Sequence, residues 1–237
     1  MIIQGLWIGS RLSTMERLCV KSFIAHGHEF HLYTYGKVEG LPEGTLVRDA
    51  LEIMPYINFS KTGTPSWGTW NASTVGFSDL FRTELLLKNG GWYVDMDTVC
   101  LKPFNFSEDY VFAAEAPLTE PIRVNTNVIK VPPHSEVMAS MKKKYWDSDL
   151  KAKWPGVAPE VLTPILSELG MIGWVKPTSV FNPIAHWYVP KFITENPDYG
   201  EAYSIHWWHG GWAQRGYDTD TSYPPECLYE RMKAKYL

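Results

Sequence analysis

Ser78-Asp79-Leu80-Phe81-Arg82-Thr83-Glu84-Leu85-Leu86-Leu87-Lys88-Asn89-Gly90-Gly91-Trp92-Tyr93-Val94-Asp95-Met96-Asp97-Thr98-Val99-Cys100-Leu101-Lys102-Pro103-Phe104 reads as a helix that passes through a glycine turn into a strand. Ser78 is placed as N-cap, Asp79 suits the positive end of the helix dipole, and Leu80, Phe81, Leu85 and Leu87 supply apolar contacts. Asn89-Gly90-Gly91 ends the helix, and Trp92 to Asp95 is the strand that follows. Asp95 and Asp97, one residue apart, are expected to leave one face of that strand roughly 6.5–7 Å apart along the backbone. Two hard oxygen ligands at that spacing can share a divalent cation and the diphosphate it carries. Taken alone, Asp-x-Asp reads equally well as a solvated turn.

Upstream, the apolar run Ile2 to Gly9 predicts a buried first strand, and Ser13 to Ala25 carries Met15, Leu18, Cys19, Phe23 and Ile24 near helical spacing. Glu29 to Tyr35 alternates as a second strand, with Phe30, Leu32 and Thr34 opposed to His31, Tyr33 and Tyr35. Strand, helix and strand in succession imply a βαβ unit with parallel strands and a right-handed crossover. A short strand at Thr45 to Arg48 and a helix near Asp49 to Met54 follow, inside a Gly-, Pro-, Ser- and Thr-rich stretch, 36–77, of the kind that forms functional loops. Downstream, Tyr110 to Glu115 and Val124 to Val131 read as strands, Glu136 to Trp146 and Pro159 to Leu169 as helices, and Val175 to Phe181 as a short strand. The tail from Ser204 to Tyr223 has no clear period. On a parallel α/β sheet, ligands bind outside the carboxyl ends of the strands, which is where the Asp95/Asp97 pair falls.

The 237 residues, 45% of them hydrophobic, are enough for one substantial core, and a single domain over 1–237 is expected. A formal charge of −4 offers no basic face, and Lys142-Lys143-Lys144 reads as a solvated helix surface, which argues against a nucleic-acid partner. Cys19, Cys100 and Cys227 are odd in number and far apart, in neither a disulfide nor a zinc pattern, so a reducing compartment fits best. The opening Met1-Ile2-Ile3-Gln4-Gly5-Leu6-Trp7 lacks the cationic lead of a signal peptide, and no apolar run spans a membrane. Read as a natural start, it predicts a soluble, cytoplasmic chain with at most peripheral membrane contact. Sequon matches at Asn58, Asn71 and Asn105 do not overturn that reading. The 14% aromatic content, with 11 Trp, permits stacking on sugars or bases, although packing accounts for most such rings.

The runs Ser78 to Arg82 and Asn89 to Asp97 resemble the sugar-binding region containing the DXD motif of family 32 glycosyltransferases, relatives of the α-1,4-galactosyltransferases, the Och1-type mannosyltransferases and the clostridial glucosylating toxins. Leu6-Trp7-Ile8-Gly9 is similar to the first strand of that group, Asn125-Thr126-Asn127-Val128 to its Asn-containing strand, and Ala158 to Thr163 to a Gly-Pro-x-x-Leu-Thr segment in which Ala158 replaces the glycine. The matches fall in the family's order along most of the chain. The departure at Ala158 loosens the match on the acceptor side.

The resemblance implies a GT-A fold: Rossmann-like, with a mainly parallel sheet flanked by helices and the DXD at a strand's carboxyl end. It also implies retaining transfer of a hexose from a nucleotide-sugar, UDP before GDP, to a glycan or lipid-linked acceptor, as in polysaccharide biosynthesis. Asp79, Arg82, Asp95 and Asp97 would form the catalytic set. Leu6, Trp7 and Ile8, with Asp79, Arg82, Asp95, Met96, Asn127 and Trp212, would contact the donor, Trp7 stacking on the base. Asp95 and Asp97 would hold Mn²⁺ or Mg²⁺, joined by His206 or His209 from a loop folding over the donor. His206 is preferred because related enzymes carry a histidine followed by an aromatic residue there, and an imidazole ligand favours manganese. Either histidine also fits as a core residue among tryptophans. No carboxylate stands out as a nucleophile, so front-side attack is the expected route. Two other readings stay open: a non-catalytic nucleotide-sugar or carbohydrate-binding module, and a metal-dependent phosphoryl or nucleotidyl transferase.

Overall fold

The computed structural model describes residues 1–56, 72–115, 122–147 and 158–237. The sequons at Asn58 and Asn71, and residues 57–71 of the loop-rich stretch 36–77, lie outside them. β1 (Ile2–Trp7), α1 (Thr14–Ala25) and β2 (Glu29–Thr34) form the expected unit, β1 pairing in parallel with β2 from Ile2 opposite Glu29 to Trp7 opposite Thr34. Ser13 caps α1 reciprocally: its hydroxyl accepts from the Met15 N–H, and the Glu16 carboxylate accepts from the Ser13 N–H at 2.7 Å. β3 (Thr45–Asp49) extends the sheet beside β2, and a single 3₁₀ turn at Ala50–Glu52 replaces the helix expected near 49–54.

α2 (Ala72–Asn89) begins before Ser78, which therefore does not cap it. The Ser78 hydroxyl donates back to the Val75 carbonyl at 2.7 Å, the bond a serine makes within a helix. β4 (Gly91–Val94), β5 (Thr98–Cys100), β6 (Val111–Ala114), β7 (Val124–Val131), α3 (Glu136–Asp147), α4 (Ala158–Glu168) and β8 (Val175–Lys176) follow. Residues 178–181, expected as strand, form the one-turn helix α5 (Thr178–Phe181). α6 (Lys191–Thr194) comes next, the aperiodic tail holds β9 (Ser204–His206) and α7 (His209–Arg215), and α8 (Leu228–Tyr236) closes the chain.

The main sheet has the order β3-β2-β1-β4-β7-β6-β8, and β7 runs against the direction the other strands share. Strand alternation sends neighbouring residues to two cores. Leu6, Tyr33, Tyr93 and Ile129 pack beneath α2, α3 and α4, whereas Ile3, Phe30, Leu32, Trp92 and Val128 pack beneath α1. α1 turns Met15 and Leu18 to a third core built from Trp207, Trp212, Tyr229 and the C-terminal helices. Cys19, Cys100 and Cys227 are buried and unpaired with one another. Among the described residues, no helix is long and apolar enough to cross a membrane.

The glycine turn that aims β4 is exacting. Gly90 has φ of 62°, and its N–H donates to the Leu86 carbonyl at 2.9 Å. A Cβ there would lie 2.3 Å from the Pro133 nitrogen. Gly90→Ala is expected to lower stability by about 2–4 kcal/mol, combining left-handed strain with overpacking against fixed backbone. Urea unfolding measures it, and a loss below about 1 kcal/mol would show that the turn can rearrange.

Candidate active site

β1 and β4 lie side by side in parallel, and the strand order reverses between them, which opens a crevice at their carboxyl ends. The chain leaves β1 at Trp7 and β4 at Val94. The ladder with β7 reaches one residue further, where the Asp95 N–H donates to the Asn127 carbonyl at 2.9 Å. Asp95-Met96-Asp97 then forms a turn closed by the Thr98 N–H on the Asp95 carbonyl at 3.0 Å. The two aspartates therefore converge across a turn, not along one face of a strand. The turn arises because the backbone passes from the β4–β7 ladder to a separate pair, β5 with β9.

That second pairing brings the distant tail to the site. β9 runs antiparallel to β5 with His206 opposite Thr98, and the Trp207 N–H donates to the Asp97 carbonyl at 2.8 Å. His206 Nε2 sits 3.2 Å from Asp97 Oδ2, which also accepts from the His209 backbone N–H at 2.8 Å. Asp95, Asp97 and His206 each offer a ligand atom, and these atoms all lie within 4.8 Å of one another. The His209 imidazole is directed elsewhere, its Nδ1 3.7 Å from Glu16 Oε1.

α2 delivers the cation. Arg82 Nη2 donates to Asp95 Oδ1 at 2.7 Å, and Nη1 donates to the Thr126 carbonyl at 2.9 Å and to the Thr126 hydroxyl. Nη1 also stands 3.5 Å from Asp79 Oδ1, and the guanidinium lies over the Tyr93 ring with its carbon 5.0 Å from the centroid. Burial pushes the Asp79 carboxyl up to about 7 despite Arg82. Burial raises Asp95 too, with Arg82 opposing. Burial would also raise Asp97, but the charge and hydrogen bond of His206, with the His209 N–H, outweigh it and hold the carboxyl well below the ordinary range. Burial would weaken Arg82 as a base; Asp95, Tyr93 and Asp79 more than compensate, so the guanidinium stays charged. One fixed cation among three carboxylates leaves a site whose electrostatics favour a further cation.

The structure thus gathers Asp79, Arg82, Asp95, Asp97 and His206. Trp7 lies half-buried at the end of β1, its indole N–H on the Arg11 carbonyl at 3.0 Å, and Ile8 is partly buried beside it. Leu6 and Met96 turn their side chains into the two cores. Asn127 is fully buried and exchanges amide hydrogen bonds with Asn182 at 2.9 and 3.2 Å, so it supports Asp95 from behind through its carbonyl. Trp212, expected at the donor, is fully buried in the C-terminal core with its N–H on the Trp207 carbonyl at 2.8 Å. Three contributors escaped the reading of the sequence. Thr126 lies within the Asn125-Thr126-Asn127-Val128 run, Glu16 sits at a spacing from Ser13 that signals only a capping box, and Trp208 holds a left-handed backbone (φ 56°, ψ 54°) that no local signal announces.

Residues 20–115 match the family described as glycosyltransferase sugar-binding region containing DXD motif, which bears out the resemblance over α2, the glycine turn and Asp95-Met96-Asp97. The sheet, mainly parallel and covered by helices with this turn at the carboxyl end of β4, has the GT-A architecture the resemblance implied. Similar solved structures include the PaToxG glycosyltransferase, at 14% identity over 71% of this chain and 69% of that one with a TM-score of 0.48. The galactosyltransferase LgtC, in complex with donor and acceptor sugar analogues, is 14% identical over 76% of this chain and 74% of that one, with a TM-score of 0.42. Apo GlyE, a glycosyltransferase of Streptococcus pneumoniae TIGR4, is 12% identical over 99% of this chain and 62% of that one, with a TM-score of 0.47. No curated protein matches the chain.

Proposed function

We propose that this chain, which carries a glycosyltransferase sugar-binding region over residues 20–115, is a single-domain, divalent-metal-dependent, retaining glycosyltransferase. In this reading it moves a hexose from a UDP-sugar to a glycan or lipid-linked acceptor at the cytoplasmic side of polysaccharide assembly. The observation that carries it is the convergence of Asp95, Asp97 and His206 within 4.8 Å, beside the Arg82 cation. Two carboxylates and an imidazole, with charge left over after Arg82, form a donor set that suits Mn²⁺ better than Mg²⁺. Held by Asp95, Asp97 and His206, the ion would neutralise the donor's diphosphate.

The chain's own side chains supply the rest. Arg82 orients Asp95 through a 2.7 Å bond, and the His209 N–H orients Asp97 at 2.8 Å. Asp79, near half-protonated at neutral pH, can both donate to and accept from hydroxyls of the donor sugar. Trp7 presents a half-buried ring at the end of β1 for the base, with Leu6 and Ile8 flanking it. The carboxylates of the cluster are already engaged, Asp79 and Asp95 by Arg82 and Asp97 by His206, which favours front-side attack. The bond from the sugar's anomeric carbon to the diphosphate breaks as the acceptor oxygen bonds on the same face, and the acceptor proton passes to the leaving phosphate oxygen.

The test incubates the protein with a panel of nucleotide-sugars in Mn²⁺, Mg²⁺ or EDTA. Slow release of UDP and free hexose is expected in Mn²⁺ and not in EDTA. Binding without release would instead mark a binding module, and release of a sugar phosphate would mark phosphoryl chemistry.

A further inference from the structure

A chain of aromatic rings leads from the cluster to the surface. His206 packs on Trp208 with centroids 3.9 Å apart, Trp208 meets His186 at 5.7 Å, and His186 meets Trp187 edge-on at 4.8 Å. The inner end is dry and the outer end is wet: Trp208 is 9% exposed, whereas Trp187 is 49% and Tyr188 46% exposed.

The outer rings are held on rigid backbone. His186–Tyr188 is a 3₁₀ turn, with the Tyr188 N–H on the Ala185 carbonyl at 2.9 Å. Just before it, the Ile184 carbonyl accepts from the Trp208 indole N–H at 2.8 Å, tying the turn to the loop that carries His206. The left-handed backbone of Trp208, costly for so bulky a residue, fixes that loop, because the next N–H is committed to Asp97. A large flat ring left in water on such a support has lost little freedom to bind, and its apolar face matches the C–H face of a pyranose. The ring path places that face a few ring widths from the cluster, within reach of a short oligosaccharide.

We propose that Trp187, backed by His186 and Tyr188, is the stacking platform of the acceptor subsite and takes the apolar face of a pyranose in an acceptor glycan. Its designation as an acceptor site rests on the transferase reading; the stacking of sugar does not. A membrane surface draws on the same amphipathic rings, so the experiment separates the two.

The full chain is labelled with 5-fluorotryptophan, and the Trp187 resonance is assigned through Trp187→Phe. It is titrated with methyl hexosides and with di- and trisaccharides, and separately with mixed phosphatidylcholine and phosphatidylglycerol vesicles. Trp174, 38% exposed elsewhere on the surface, serves as the internal control. The expected result is a saturable shift of Trp187 with sugar, larger for the trisaccharide, and none with vesicles or at Trp174. With donor present, Trp187→Ala should lower the fraction of hexose passed to sugar, relative to water, by about five- to ten-fold, and Trp187→Phe should restore most of it. A shift with vesicles alone, or with neither ligand, overturns the platform. Sugar-dependent shifts in a protein that turns over no donor would overturn the transferase reading and leave the platform standing.

Discussion

Asp97→Asn is expected to lower Mn²⁺-dependent release of UDP from a UDP-sugar by about 10²–10⁴-fold, and to remove the thermal stabilisation that Mn²⁺ gives the parent protein. The amide keeps the size of the side chain and can still accept the His209 N–H, now made at 2.8 Å to Oδ2. It loses the charge and the anionic oxygen. Asp97 is the member of the cluster most firmly ionised, since His206 and the His209 N–H overcome the effect of burial. Asp95 cannot replace it, because Arg82 already holds one of its oxygens at 2.7 Å. Calorimetry gives a readout independent of turnover: at a Mn²⁺ concentration one hundred times its Kd, the parent should gain about 2.7 kcal/mol, and the variant close to none. A variant that kept this stabilisation would remove Asp97 from the ligand set.

What was legible in the sequence was whatever has a local period. The βαβ opening follows from alternation and helical spacing and the Gly90-Gly91 turn from its glycines; these elements and β7 form within a residue or two of their expected bounds. Ser78 misled because a hydroxyl before an apolar run signals a cap, yet Phe77 just upstream is fully buried and the helix continues through it. Asp95 and Asp97 would share one face only on a strand that went on. It stops because Asp97 is taken up by β9, a partner about a hundred residues later in the chain whose pairing leaves no trace in local spacing. His206 was therefore reachable only through the family resemblance. The placing of Trp212 shows the complementary case: Trp207, Trp212 and Tyr229 pack together with 0% exposure, and periodicity cannot tell such rings from ligand-facing ones.

Arg82→Met should destabilise the fold by about 3–5 kcal/mol at pH 8, and by much less at pH 5. Arg82 is the cation that Asp79 and Asp95 share in a buried setting, with side-chain exposures of 4%, 6% and 26% respectively. In the parent, burial already lifts Asp79 from 3.8 to about 7, so between these values the folded chain holds a proton that the unfolded chain has released. Stability from this group is full below pH 4 and drains away as pH rises toward 7. Without the guanidinium nothing opposes burial at Asp79, and only His206 still opposes it at Asp95; both carboxyls hold their protons to higher pH, and the deficit relative to the parent grows with pH. Urea unfolding at pH 5 and pH 8 measures that slope. Adding Asp79→Asn to Arg82→Met removes one stranded charge and should recover part of the loss at pH 8 alone. Arg82→Lys should fall between, since a compact ammonium keeps the charge but cannot span Asp79, Asp95 and Thr126 at once. A deficit equal at both pH values would mean that the loss comes from packing on Tyr93 and not from the shared cation.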